Sequence, residues 1–273
     1  MINFIKNPFI FIGIIAFFAA MILATFSEST REKVKNNKDL DRKRNVLLAR
    51  YLEDFKDPNH PYIAKLSKED ELKDIYSSEI EELIFNSDGS LAKLKNDVTF
   101  NDLVWKEDAN AGPGKEGQIL YSFKNDLDEY LPLFKVLNTG GYIIPISGKG
   151  LWSTIKGFIY IIPNDLLGGR NDGEYLVKGV SFYEHGETPG LGGEIDKYEV
   201  KARYLNKQIS LKNNKTPKMT KTIVDERYDL EYISGATVTS DGLDTFIEHH
   251  ILNRYSEILK NSGKKNMLGV NYE

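Results

Sequence analysis

The 273-residue chain contains no cysteine. Structural disulfides, thiolate zinc sites, a cysteine nucleophile and cysteine-ligated iron–sulfur clusters are therefore excluded. The same absence leaves the compartment open. An excess of basic charge is also missing: 36 Lys and Arg face 40 Asp and Glu, a formal net charge of −4. That balance argues against nucleic acid as the main partner, which normally requires a basic face. Histidine is scarce at four residues. His249 and His250 are adjacent on a predicted helix and point to different faces, so they do not chelate one ion. His185, His249 and His250 are read as structural, and no metal site is expected. No nucleotide P-loop occurs: Gly148-Lys149-Gly150 lacks both the spacing and the following hydroxyl of G-x-x-x-x-G-K-[ST]. Wholesale disorder is excluded too, because 41% of the residues are hydrophobic.

One long apolar run is present, and no second one approaches it. Residues 8–26, from Pro8 to Phe26, carry no charge. As a helix they span about 28 Å, close to the hydrocarbon thickness of a bilayer. Pro8 suits a first helical turn. Small residues such as Ala16, Ala19, Ala20 and Ala24 would also suit a cleavable signal peptide. The run is too long for the usual signal core, and only Lys6 precedes it, so a retained single-pass anchor is the better reading. Lys and Arg from Arg31 to Arg44 outnumber those before the span. By that count the bulk of the chain faces the cytoplasm, although long domains translocate largely regardless of charge.

The domain plan has a tail at 1–7, a transmembrane helix at 8–26, a charged helical stalk at 27–61 and one soluble domain at 62–273. In the stalk, Val46, Leu47, Tyr51 and Phe55 recur at helical spacing, and Asp57-Pro58-Asn59-His60-Pro61 ends the helix. A second charged helix is expected over 68–85, and a loop over 108–117. Short β-branched or aromatic runs then follow at 118–123, 131–138, 142–146, 156–162 and 175–184. Turns such as Asn138-Thr139-Gly140-Gly141 and Gly168–Gly173 separate them. Residues 194–206 read as helical, and 208–211 with 220–225 as a strand pair. Over 241–260 the apolar residues Leu243, Phe246, Ile247, Ile251, Tyr255, Ile258 and Leu259 share one helix face. The class is α+β: a single soluble domain with an antiparallel β-sheet flanked by helices, preceded by one N-terminal transmembrane helix.

Three motifs carry chemistry. Ser234-Gly235-Ala236-Thr237-Val238-Thr239-Ser240 places small residues and hydroxyls directly before an amphipathic helix. Gly235 and Ala236 permit close approach of a ligand to the backbone, and a helix start favours an anion, typically phosphate. Ser234, Thr239 and Ser240 can donate hydrogen bonds to phosphate oxygens; helix capping by Thr239 or Ser240 explains two of those hydroxyls equally well. The second motif, His185 to Ile195 (HGETPGLGGEI), is a Gly-rich loop suited to lie against a planar ligand. Its two carboxylates, Glu187 and Glu194, form an acid–base pair only if they meet in space. The third, Gly148-Lys149-Gly150-Leu151-Trp152-Ser153, offers Trp152 either as a packing residue or as a stacking platform for an aromatic ligand.

In this order, behind one N-terminal span, GKGLWS, YEHGETPGLGGEI and SGATVTS resemble the NqrC family, the covalent-flavin subunits of the sodium-pumping NADH:quinone oxidoreductases. The likeness covers roughly residues 1–30 and 118–260. The resemblance implies FMN attached by a phosphoester to the last Thr of S-G-A-T, here Thr237. Where that family usually has Asp three residues before the Ser, this chain has Glu231. A Thr hydroxyl is a weak nucleophile unaided. The resemblance accordingly implies a separate flavin transferase with FAD as donor, other subunits of a membrane complex as partners, and no catalytic residue of the chain's own. It also implies a domain on the periplasmic side of the inner membrane, against the local Lys/Arg count. The cofactor-binding candidates are Ser234, Gly235, Ala236, Thr239 and Ser240 around the attachment point, and Trp152, Glu187, Thr188, Gly190 and Leu191 for the ring.

Other readings remain open at this level. The nearest is RnfG, the component of the related Rnf ferredoxin:NAD oxidoreductase that shares the attachment motif. A membrane-tethered FMN-binding sensor and a cofactor-free envelope protein are different classes. Flavin content separates the last from the others.

Overall fold

A computed structural model of the chain describes residues 7–57, 59–92, 100, 103–107, 121–125, 128–164 and 173–262. The predicted loop at 108–117 and most of the Gly168–Gly173 turn lie outside these residues. The chain separates into two compact units, Met1–Arg42 and Lys43–Glu273.

The first unit holds most of helix α1, which runs unbroken from Pro8 to Arg50. An 18-residue window near its start has a mean hydropathy of 2.7 and none of it is buried. Phe9, Ile12, Phe17, Ile22, Leu23 and Phe26 all stand exposed. By length and composition this helix can cross a membrane.

The second unit starts inside the segment expected as stalk. Val46, Leu47, Ala49, Tyr51 and Leu52 are buried, and the Ser181 hydroxyl donates to the Asn45 carbonyl over 2.8 Å. A Cβ on Gly179 would lie 1.9 Å from the Ala49 carbonyl oxygen, so only glycine admits the end of α1 at that point. The helix stops at Arg50, before the predicted Asp57–Pro61 breaker; turns and a short 3-10 segment, Asp54–Lys56, lead to Pro61.

Two short helices follow, α2 (Pro61–Leu66) and α3 (Glu69–Glu79). The predicted 68–85 helix ends at Glu79, because Ile80–Asn86 forms strand β1. Its residues pair antiparallel with 130–136, and Leu83, Ile84 and Phe85 are buried. Sheet pairing thus overrides the helical charge pattern. The remaining strands of the main sheet are β2 (Val104–Glu107), β3 (Tyr121–Asn125), β4 (Asp128–Val136), β5 (Tyr142–Lys149), β6 (Thr154–Pro163), β7 (Glu174–Glu184) and β8 (Gln208–Ser210). Their spatial order is β2-β3-β4-β5-β6-β7-β8, with β1 paired to β4, and every pairing is antiparallel. Gly140, at φ +66°, closes the β4–β5 turn through its N–H to the Val136 carbonyl.

After β7 come a 3-10 segment (Gly192–Asp196) and helix α4 (Tyr198–Ala202), overlapping the 194–206 stretch read as helical. The predicted pairing of 208–211 with 220–225 does not form. Strand β8 instead extends the main sheet along β7, while β9 (Lys218–Thr220) pairs in parallel with β10 (Asp229–Glu231). The last helical run is divided into α5 (Thr237–Glu248), a π-helical turn (His249–Arg254) and α6 (Ser256–Ser262).

Alternation along the strands gives the sheet two buried faces. Leu133, Ile144, Ile146, Ile159 and Val177 join Leu243, Phe246, Ile247 and Ile251 of the C-terminal helices in one core. The neighbouring residues Phe134 and Phe158 point the other way and meet edge to face at 5.7 Å. Helix α5 sits very close to the end of β5. A Cβ on Gly148 would meet Phe246 at 2.4 Å, and one on Gly242 the Lys149 carbonyl at 2.4 Å. This close seating brings the N-terminus of α5 beside the β5–β6 turn.

Candidate functional site

The three sequence motifs converge on one carboxylate. Glu187 follows β7 and is 5% exposed. Its Oε1 accepts the backbone N–H groups of Trp152 (3.0 Å) and Ser153 (3.1 Å) and the Ser153 hydroxyl (3.3 Å). Its Oε2 accepts the Leu151 N–H (3.2 Å) and the Thr239 hydroxyl (2.7 Å). The loop after β7, the β5–β6 turn and the start of α5 are thereby tied together. Gly150 and Gly192 make room: a Cβ on either would lie 2.5 or 2.7 Å from a Glu187 oxygen. Burial pushes the Glu187 pKa up, but the Thr239 hydroxyl and the N–H groups of Trp152, Ser153 and Leu151 more than offset it. The net shift is downward from the ordinary 4.5, and the side chain is ionised at neutral pH.

Above this buried anchor lies an exposed surface. Thr237 is the first residue of α5 and its side chain is exposed. Ser234 and Gly235 are exposed beside it, and Gly235 takes φ +69°, a conformation that favours glycine. Ala236 is buried and is the N-cap residue, with no side-chain cap. The first N–H groups of such a helix have no carbonyl one turn back, and together with the dipole they suit an anion. Four large apolar side chains stand out on the same motifs: Trp152 at 67% exposure, Val238 at 51%, Leu151 at 45% and Leu191 at 44%. A Cβ on Gly235 would touch the Leu191 side chain at 2.8 Å, so the loop after β7 and the turn before α5 are in contact. Gly190 has open space around it and φ +79°. Thr188 is exposed, and its carbonyl accepts the N–H groups of Leu191 and Gly193.

Two predicted phosphate ligands point elsewhere. Thr239 is 1% exposed and its hydroxyl is given to Glu187. Ser240 is fully buried; its hydroxyl donates to the Ala236 carbonyl and accepts the Ile233 N–H. Both are turned into the core, away from the surface that Thr237 shares with Ser234. They build the turn, and neither caps α5. Glu187, predicted against the ring, is likewise a buried scaffold. Glu194 binds Lys197 at 2.5 Å and forms no bond with Glu187.

The segment before the motif is also pinned. The Arg203 guanidinium donates to the carbonyls of Glu231 (2.9 Å) and Tyr232 (3.0 Å), and the Tyr232 hydroxyl to Asp241 (2.7 Å). The Glu231 side chain is exposed.

His185 and His250 are held by hydrogen bonds within the fold. His185 Nε2 lies 2.8 Å from Asp196. His250 is buried, its Nε2 accepting the Ser147 N–H over 3.1 Å. Burial, with the neighbouring His249 next, pushes its pKa down to about 3, so it is neutral.

The sequence reading missed Ser153, whose hydroxyl also accepts the Gly186 N–H at 2.6 Å. It also missed Leu151 and Val238. The available signal was an apolar residue in each motif, Leu151 beside Trp152 and Val238 between Thr237 and Thr239.

Residues 150–251 match the FMN-binding domain family. In sequence the chain is similar to the NqrC component of the Na(+)-translocating NADH-quinone reductase of Pseudomonas aeruginosa, 37% identical over 111 residues. That match covers 38% of this chain and 39% of the relative. The corresponding protein of Pasteurella multocida is 28% identical over 222 residues, 76% of this chain and 74% of the relative. In fold the chain is similar to the crystal structure of Shewanella oneidensis NqrC, with a TM-score of 0.57 at 23% identity, covering 82% of this chain and 98% of that one. The corresponding structure from Parabacteroides distasonis gives 0.55 at 23% identity, covering 86% and 98%. The α+β fold inferred from the sequence is therefore that of these structures, and the FMN-binding match contains all three motifs from Gly150 onward.

Proposed function

We propose that this chain, which carries an FMN-binding domain and groups in sequence and fold with the NqrC components of the Na(+)-translocating NADH-quinone reductases, holds FMN in ester linkage on Thr237 and relays electrons within that membrane complex. The observation that carries the reading is the exposed Thr237 side chain at the start of α5, on the same motifs as the exposed side chains of Val238, Leu191 and Trp152. The residues suit the group. A phosphate on Thr237 would meet the first N–H groups of α5 and the exposed Ser234, at a positive helix end. Gly235, Ala236 and Gly190 leave the backbone open to it. A flat, largely apolar ring system would find Trp152, Leu191 and the Thr188–Gly190 backbone as its lining. Bound FMN supplies reversible electron uptake; the protein's part is to fix the tail, shield the ring and tune its surroundings.

Attachment needs a second protein. No base stands against Thr237 among its described hydrogen bonds, and a hydroxyl requires activation to attack phosphorus. With FAD as donor, a flavin transferase would form the Thr237 Oγ–P bond and break the pyrophosphate, releasing AMP and the hydroxyl proton. The partners proposed are that transferase, the other subunits of the complex, and the membrane through α1. In this reading the domain lies outside the cytoplasmic membrane, in the periplasm. NqrC is preferred over RnfG because the relatives from Pseudomonas aeruginosa and Pasteurella multocida are NqrC proteins.

The test is in-gel fluorescence. Full-length protein made together with a flavin transferase should glow under ultraviolet light after denaturing electrophoresis, and protein made without it should stay dark. A dark band in both would refute a covalent flavin.

A further inference from the structure

We propose that Glu187 is a positioning residue: its carboxylate holds the Trp152 turn in fixed register with the Thr237 end of α5, without touching the cofactor itself. This rests on the reading that the flavin is carried at Thr237.

A carboxylate has about four lone-pair directions. Glu187 already accepts from three consecutive backbone N–H groups, Leu151, Trp152 and Ser153, and from the hydroxyls of Ser153 and Thr239. Nothing is left for a ligand, and at 5% exposure little of the side chain reaches the surface. Every donor comes from the turn that presents Trp152 or from the helix that presents Thr237. The two presented side chains are exposed; the one that joins their supports is not.

The arrangement also demands an anion. All five partners point protons at the two oxygens. An amide in the same place would set an NH2 group against N–H donors on one side, so Glu187→Gln loses more than charge. Glu187→Asp keeps the charge but is one methylene short, and it cannot reach the turn and Thr239 together. A buried charge near the flavin would also oppose the gain of negative charge on reduction. Neutralising it should raise the midpoint potential, while Asp should leave the potential closer to native.

The experiment uses full-length protein made with a flavin transferase, as native chain, Glu187→Gln, Glu187→Asp and Thr239→Val. Amide hydrogen exchange at 151–153 is read first. It should quicken about tenfold or more in Glu187→Gln, the effect of losing a hydrogen bond to a charged group, and less in Thr239→Val. The visible spectrum and midpoint potential of the attached flavin are read next. They should shift in Glu187→Gln, with the potential largely restored in Glu187→Asp. Unchanged exchange at 151–153 in Glu187→Gln would overturn the proposal. So would faster exchange with a native spectrum and potential, which would make Glu187 a fold residue only. If Glu187→Gln does not fold, Thr239→Val must still show faster exchange at 151–153, or the proposal fails. A native chain without flavin would instead defeat the reading on which this rests, and the exchange data would still decide whether the tether exists.

Discussion

The Thr239 hydroxyl donates to Glu187 Oε2 over 2.7 Å, joining residues 52 apart in sequence. This bond separates two hydroxyls of the SGATVTS motif that look alike on paper. Thr237 opens α5 with its side chain in solvent, while two residues later Thr239 is buried in the scaffold. Thr239→Val should therefore lower stability by roughly 1.5–3 kcal/mol, as expected for a hydrogen bond to a charged group. Ser234→Ala, at an exposed position, should change it by less than about 0.5 kcal/mol. Urea unfolding of the two variants checks the contrast; equal losses would contradict it.

Gly242 is the second test of how α5 is seated. Alanine normally favours a helix over glycine by about 1 kcal/mol. Here a Cβ would lie 2.4 Å from the Lys149 carbonyl oxygen, a backbone atom that cannot swing aside. Gly242→Ala should destabilise by about 1–3 kcal/mol despite the better propensity. A variant as stable as native, or more so, would mean that α5 does not rest on β5 this closely.

Acid sensitivity should come in two windows. The His250 pKa is lowered from 6.5 to about 3. The folded state thus favours the neutral ring, and its contribution is complete above the unfolded value and lost as pH falls from about 6.5 towards 3. The slope from this group is at most about 1.4 kcal/mol per pH unit. His250→Gln should flatten the fall in stability between pH 6.5 and 5. Glu187, whose pKa is lowered from 4.5, acts further down: its contribution is present above that value and lost as pH falls through the lower folded one. Chemical denaturation at a series of pH values reads both. An unaltered pH slope in His250→Gln would refute the first assignment.

The main strands and both ends of the site were legible because β-branched runs, Gly turns and the order of three motifs are local signals. Residues 80–86 were not. Their glutamates continue a helical charge pattern, and only pairing with 130–136, far along the chain, makes them a strand. The 208–211 and 220–225 runs suggested a hairpin, yet β8 found its partner in β7 and β9 in β10. In the site, composition pointed to hydroxyls and glycines but could not say which hydroxyls face inward. That depends on the phase of α5, which starts at Thr237 and turns Thr239 and Ser240 towards the core. The role of Glu187 was hidden for the same reason: its partners lie 34 to 52 residues away.

The N-terminal helix gives a simpler prediction. A chain beginning at Lys43 keeps the whole second unit and loses the exposed apolar residues of α1. It should stay in the supernatant without detergent, whereas the full chain should sediment with membranes. Membrane partitioning of the shortened chain after a high-salt wash would reveal a further membrane-binding surface.

Intact-mass spectrometry of native protein and Thr237→Val tests the bond at Thr237 most directly. Both are made with a flavin transferase. Valine keeps the β-branched shape at an exposed position, so the fold should survive the loss of the oxygen. The native chain should exceed its sequence mass by one FMN less one water, and Thr237→Val should have its sequence mass alone. An FMN adduct retained on the valine variant, or absent from the native chain, would contradict the account.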